Sequence, residues 1–121
     1  MRTWILAAAL ALALVPIALR QAAFGQPAAP AFDRKDPAVI EKGNALFNLR
    51  CAGRCHGRDG LEGFDAPILA GKDYLTFEFV IATLIGGRPN TAMPSWKDRL
   101  TDEELRTVAA YVATLGDAAR R

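Results

Sequence analysis

The chain of 121 residues carries 15 basic and 13 acidic side chains, a formal charge of +2, and is 51% hydrophobic. That length holds one small domain and not two with separate cores. The near balance of charge excludes a nucleic-acid-binding protein that works by cationic excess, and equally a polybasic membrane-surface protein. Without Arg2 and Arg20, which lie in a segment expected to be removed, the two signs are equal.

The first residues give a short charged start, Met1 to Thr3, followed by an uncharged Ala- and Leu-rich run from Trp4 to Val15. This is the pattern of a secretory signal. Even extended to Leu19 the run falls short of the roughly 20 residues of a bilayer-spanning helix. Small residues at Ala23 and Gly25 suit a signal peptidase, so residues 1–25 are expected to be a signal peptide. Residues 26–35 are expected to be a flexible, Pro-containing leader, and 36–121 to form the domain. The mature chain is then periplasmic, with membrane contact only if the N-terminal segment is retained.

Asp36 followed by Pro37 is a helix start, a capping carboxylate before a residue suited to the first turn. Val39, Ile40, Gly43 and Phe47 follow at helical spacing and predict a helix from about Pro37 to Leu49. Gly43 costs roughly 1 kcal/mol against Ala inside a helix, which reads either as a tolerated surface glycine or as close approach of another helix. Residues 57–71 hold four glycines and Pro67, loop chemistry rather than a strand. A second helix is predicted from a Thr76 cap, with Phe77, Val80, Ile81 and Leu84 on one face and Gly86-Gly87 as its stop. Arg88 to Trp96, with Pro89 and Pro94, is again loop. Thr101-Asp102-Glu103-Glu104 is a capping box, and Leu105, Val108, Ala109, Val112 and Leu115 continue a last helix to Gly116. The fold class is therefore all-α, three helices joined by long loops. Loops of about fifteen residues in so small a domain need something else to order them. A large bound cofactor would do so.

The chain has two Cys, one His and two Met, one of them the initiator. Both cysteines and the histidine fall within C-A-G-R-C-H, Cys51 to His56. Covalent c-type haem is marked by C-x-x-C-H, and here the spacer is one residue longer while the Cys55-His56 adjacency is kept. Gly53 lies inside the spacer, where a bulge can absorb the extra residue. A disulfide between Cys51 and Cys55 leaves His56 and the long loops unexplained. Zinc lacks a fourth ligand of usual type. A thioredoxin-like pair needs two intervening residues and a βαβ context, and a Cys/His nucleophile lacks an orienting group. Haem c is the reading that uses all three residues. With His56 as one axial ligand, Met93 is the candidate for the second, since no other His, Cys or Met remains after signal removal. It lies in a Pro-bounded loop, T-A-M-P, rather than on a helix face.

From about Ile40 to Leu115 these residues resemble class I, mitochondrial-type, cytochrome c. The likeness is carried by G-N-A-L-F, C-A-G-R-C-H-G, A-P-I-L-A-G, A-M-P-S-W and the terminal L-T-D-E-E-L-R-T-V-A-A-Y-V. It implies an all-α fold wrapped on one haem, thioether bonds at Cys51 and Cys55, His56 proximal and Met93 distal. It further implies that Gly43 and Phe47 pack on the last helix near Tyr111, and that the Pro67 carbonyl accepts from the His56 ring. The three-residue spacer departs from the family's usual two.

His/Met ligation leaves no open position on iron, so the expected role is a one-electron carrier and not an enzyme. Its partners would be a donor dehydrogenase and an acceptor oxidase or reductase. The alternative is a ligand-sensing haem protein in which a small molecule displaces Met93. Arg50, Arg54 and Arg58 could steer an acidic partner, but read more simply as solvated arginines, some pairing with Asp59, Glu62 or a propionate. Trp96 and Arg99 are further candidates for propionate contacts.

Overall fold

A computed structural model describes residues 31–117, which belong to one compact unit. The expected signal peptide and the start of the leader lie outside the described residues, as do residues 118–121. Among the described residues the regular structure is helical. The elements are α1 (Pro37–Phe47), a wide coil over Asn48–His56, a single tight turn at Arg58–Gly60, α2 (Phe77–Gly86) and α3 (Asp102–Asp117).

Each helix begins where its capping chemistry places it. The Asp36 carboxylate accepts from the Ala38 N–H at 2.9 Å, and Thr76 Oγ1 accepts from the Phe79 N–H at 3.1 Å. At α3 the box is reciprocal: the Thr101 N–H donates to Glu104 Oε2 at 2.8 Å, and the Glu104 N–H donates to Thr101 Oγ1 at 3.2 Å. Gly87, at φ +68°, ends α2. The ends of α2 and α3 fall within a residue of the predicted ones. α1 is shorter than predicted, because at Asn48 the chain leaves the four-residue register and widens.

α1 crosses α3 at Gly43. A Cβ there would collide with the Thr107 carbonyl oxygen and lie 2.7 Å from Tyr111 Cβ, so the glycine permits a backbone-to-backbone approach that no larger residue allows. One turn later Phe47 is buried and its ring meets Tyr111, with centroids 5.5 Å apart. Val108 and Ala109 have no exposed surface, and Leu105 almost none. Val80 and Leu84 bring α2 into the same core. Ahead of α1, Phe32 lies between the Phe77 ring and the Arg106 guanidinium, and Arg34 pairs with Glu78. No helix among the described residues is long and apolar enough to cross a membrane.

Candidate functional site

The segment that carries both cysteines and the histidine leaves α1 without a break. From Asn48 to His56 the backbone winds as a wide coil, closed by a five-residue bond from the Gly57 N–H to the Ala52 carbonyl at 2.9 Å. Such a coil takes more residues per turn than an α-helix, which is what a spacer with one extra residue requires. The excess is concentrated at Gly53, at φ 2° and ψ −117°, whose Cβ position faces open space. The bulge expected between Ala52 and Arg54 is therefore present. Cys51 is buried and Cys55 exposed. Burial, reinforced by the neighbouring Cys55, pushes the Cys51 thiol up to about 12, so in the haem-free chain it stays protonated at neutral pH.

His56 is 9% exposed and its ring lies 6.2 Å from that of Phe47. His56 Nδ1 is 2.9 Å from the Pro67 carbonyl oxygen. That oxygen only accepts, so Nδ1 carries the proton of the neutral ring and Nε2 keeps the lone pair a metal would use.

Met93 is half-buried against the core on the loop between α2 and α3. The Trp96 N–H donates to the Leu84 carbonyl at 2.8 Å and Ser95 Oγ to the Ile85 carbonyl at 2.6 Å, which folds the loop back over the end of α2. The Arg88 N–H donates to the Met93 carbonyl at 3.1 Å and the Met93 N–H to Thr91 Oγ1 at 3.2 Å.

These residues meet around one cavity of about 410 Å³, whose walls include Cys51, Cys55, His56, Pro67, Met93 and Trp96. Leu69, Leu75, Val80, Leu84, Val108 and Val112 make the rest of the wall largely apolar. One polar atom in that wall has no partner: Trp96 Nε1 is the single buried side-chain nitrogen or oxygen left unbonded among the described residues. An orphaned buried donor costs about 1–3 kcal/mol, so the indole calls for an acceptor, which a haem carboxylate would supply. An apolar slot, two thiols, an imidazole with its outer nitrogen satisfied, a thioether and one unsatisfied N–H together fit haem.

All five residues singled out in the sequence, Cys51, Cys55, His56, Pro67 and Met93, thus lie at this cavity. Of the arginines, Arg50 and Arg88 line it, whereas Arg54 is exposed and pairs loosely with Asp65 at 3.6 Å. Asp59 makes no ion pair with them. Its carboxylate accepts instead from Asn48, Asn44 and Tyr111, and hydrogen bonding, chiefly from Asn48, holds it below the usual carboxylate range. Sequence reasoning missed Asn44 and Asn48. Their four-residue spacing on the helix that leads into the motif was the available signal.

Two thiols and an imidazole on one coil, facing a haem-sized apolar cavity inside three helices, define a c-type cytochrome domain. Residues 38–112 match the family described as cytochrome c oxidase, cbb3-type, subunit III, and the chain belongs to that family. The Cbb3-type cytochrome c oxidase subunit CcoP of Rubrivivax gelatinosus is 37% identical over 89 residues, covering 69% of this chain and 28% of the relative. The chain therefore spans less than a third of that relative's length. Among solved structures, cytochrome CL of Methylophaga aminisulfidivorans is 28% identical with a TM-score of 0.58, covering 69% of this chain and 62% of its own. Cytochrome c6 of the diatom Phaeodactylum tricornutum is 30% identical with a TM-score of 0.54, covering 66% of this chain and 97% of its own. The Cys51-x-x-x-Cys55-His56 motif accordingly carries one covalently attached haem c.

Proposed function

We propose that the chain is a periplasmic one-electron carrier in which Cys51 and Cys55 hold the haem and His56 and Met93 are its axial ligands. The observation that carries this reading is the convergence of Cys51, Cys55, His56 and Met93 on one apolar cavity, with Pro67 fixing the His56 tautomer. The haem supplies one-electron chemistry between ferric and ferrous iron. The protein's residues do the rest. Pro67 orients the imidazole, the Met93 thioether would supply the second ligand, and the apolar walls exclude water, so the chain carries electrons and transforms no substrate. The likeness to cbb3 oxidase subunits supports an oxidase complex as acceptor. Electron flow toward an oxidase requires a more reducing donor, a dehydrogenase or another donor protein.

Optical spectra of the reduced protein with and without carbon monoxide test this reading. The wild type is expected to show sharp c-type bands that carbon monoxide leaves unchanged. Met93→Ala should keep the covalent haem, bind carbon monoxide, lose the far-red sulfur-to-iron band of the oxidised form and fall in potential. A wild type that binds carbon monoxide readily would identify a ligand sensor instead.

A further inference from the structure

The two ends of the haem-attachment segment are tied together by side chains that electron transfer does not itself use. Asn48 is the first residue of the wide coil, and Asp59 lies three residues beyond its last, His56. The Asp59 N–H donates to Asn48 Oδ1 at 3.0 Å, and Asn48 Nδ2 donates back to Asp59 Oδ1 at 2.8 Å. The same carboxylate oxygen accepts from Asn44 Nδ2 on α1 at 3.2 Å and from the Tyr111 hydroxyl on α3 at 3.5 Å. Asp59 reaches this position in the left-handed region, at φ 55° and ψ 19°, which Asp enters more readily than most residues with a side chain. In that conformation its N–H and its carboxylate both address the one amide.

Between Gly53 and Cys55 the side chains of the coil offer little to hold its register. Gly53 faces open space, and Arg54 and Cys55 are exposed. On one side the Phe64 and Asp65 N–H groups bond to the Cys55 and Arg54 carbonyls, each at 3.1 Å. On the other side the Asn48–Asp59 pair closes the span that contains both thiols and the imidazole. A slip of the coil by one residue carries a side chain around its axis by somewhat less than the about 100° of an α-helix, still enough to turn Cys55 or His56 away from the cavity, and the paired bonds oppose it. The contacts also form a circuit back to the ligand: Asp59 meets Tyr111, the Tyr111 ring packs at a tilt on Phe47, and Phe47 lies against His56.

We propose that the reciprocal Asn48–Asp59 bond pair is a clamp that fixes the register of the longer three-residue spacer, making Asn48 and Asp59 positioning residues for His56 and the two cysteines. This rests on the haem reading above. A merely stabilising pair would act whatever the spacer length, whereas a register clamp matters most while the extra residue is present.

The test uses the full haem-loaded chain, matured in a host that attaches c haem, with and without deletion of Gly53. In each background Asn48→Ala removes one half of the clamp. Asp59→Gly removes the other while keeping the left-handed backbone accessible, and Asp59→Asn, which retains an oxygen acceptor, serves as the rescue. The readouts are the fraction of chain with covalent haem, the reduction potential, and the ferric electron paramagnetic resonance g-values, which report the axial ligand geometry. With Gly53 present, Asn48→Ala and Asp59→Gly are expected to lower haem attachment several-fold, split the ferric signal and shift the potential, and Asp59→Asn to restore wild-type values. With Gly53 deleted the haem should stay covalent and the same substitutions should leave signal and potential unchanged. Variants that melt earlier yet keep the wild-type signal and potential overturn the clamp, as do equal shifts in both backgrounds. Failure to obtain holoprotein only when Gly53 is present supports it, and failure in both backgrounds overturns it. Absence of c-type bands from the wild type would instead defeat the haem reading.

Discussion

The two faces of α3 are filled by different means. Toward α1, Thr107 and Tyr111 meet Gly43 with no space between the backbones. Toward the loops, Val108 and Val112 look into the cavity of about 410 Å³. One face completes its packing with residues of the chain itself, and the other waits for a group the sequence does not encode. The helix crossing is thus a self-contained piece of core, while the walls made by residues 57–75 and 88–99 are expected to depend on what fills them.

The sharpest way to break this contrast is to withhold the haem. Without it the leucine and valine walls of the cavity face water and forfeit the contacts that would cover them, a large loss for a domain whose whole stability is about 5–15 kcal/mol. A Cys51→Ser, Cys55→Ser double variant produced without haem should therefore lose its cooperative thermal transition by far-ultraviolet circular dichroism. A sharp transition near the wild-type temperature would mean that the loops hold themselves.

Gly43→Val attacks the other face. The added side chain strikes the Thr107 carbonyl, which is backbone and cannot swing aside, so an overpacking cost toward the upper end of about 1–3 kcal/mol is expected. It should appear as a lower denaturation midpoint at unchanged slope with the haem spectrum intact. An unchanged midpoint would show that the helices part without penalty.

Smaller effects come from the polar cluster at the edge of the crossing. Burial, then the Asp59 charge, pushes the Tyr111 hydroxyl up to about 12 from its ordinary value near 10. As pH rises through that window the unfolded chain gives up a proton the folded chain keeps, so stability falls; below pH 10 this contribution is fully present. Tyr111→Phe should flatten the alkaline limb of stability against pH, measured by denaturant titration at each pH. Asp59 is shifted the other way, its carboxylate stabilised by bonds led by that from Asn48. Its contribution is present above the ordinary carboxylate range and lost as the pH falls through the native value, so Asp59→Asn should flatten the acid limb.

What could be read from the residues follows the same division. Caps and periodicity located α2 and α3 because these are local properties of short windows, and Gly43 betrayed the crossing because a glycine in mid-helix needs a reason. Ligand counting singles out Met93, which lines the cavity, because the chain offers so few soft donors. The end of α1 was misplaced because the wide coil is closed by bonds from Gly57, Phe64 and Asp65, all beyond the helical window. Asp59 is one of the acceptors that the sequence offers to the arginines, with Glu62 and a propionate, because sequence shows charge but not a left-handed backbone, and that conformation aims its carboxylate at amides instead.

The loop bearing Met93 is fastened firmly at one edge and lightly at its middle. Ser95 and Trp96 are tied to the end of α2, while Met93 itself is held by its bonds to Arg88 and Thr91. Displacing the Met93 backbone breaks those two bonds and none inside the three helices. Exchange of the proposed iron ligand would then be a local opening of residues 88–94, cheaper than unfolding. The lifetime of the ligated state and the lifetime of the fold become separate quantities, so the first can be tuned through Thr91 alone while the second stays where the helix crossing sets it.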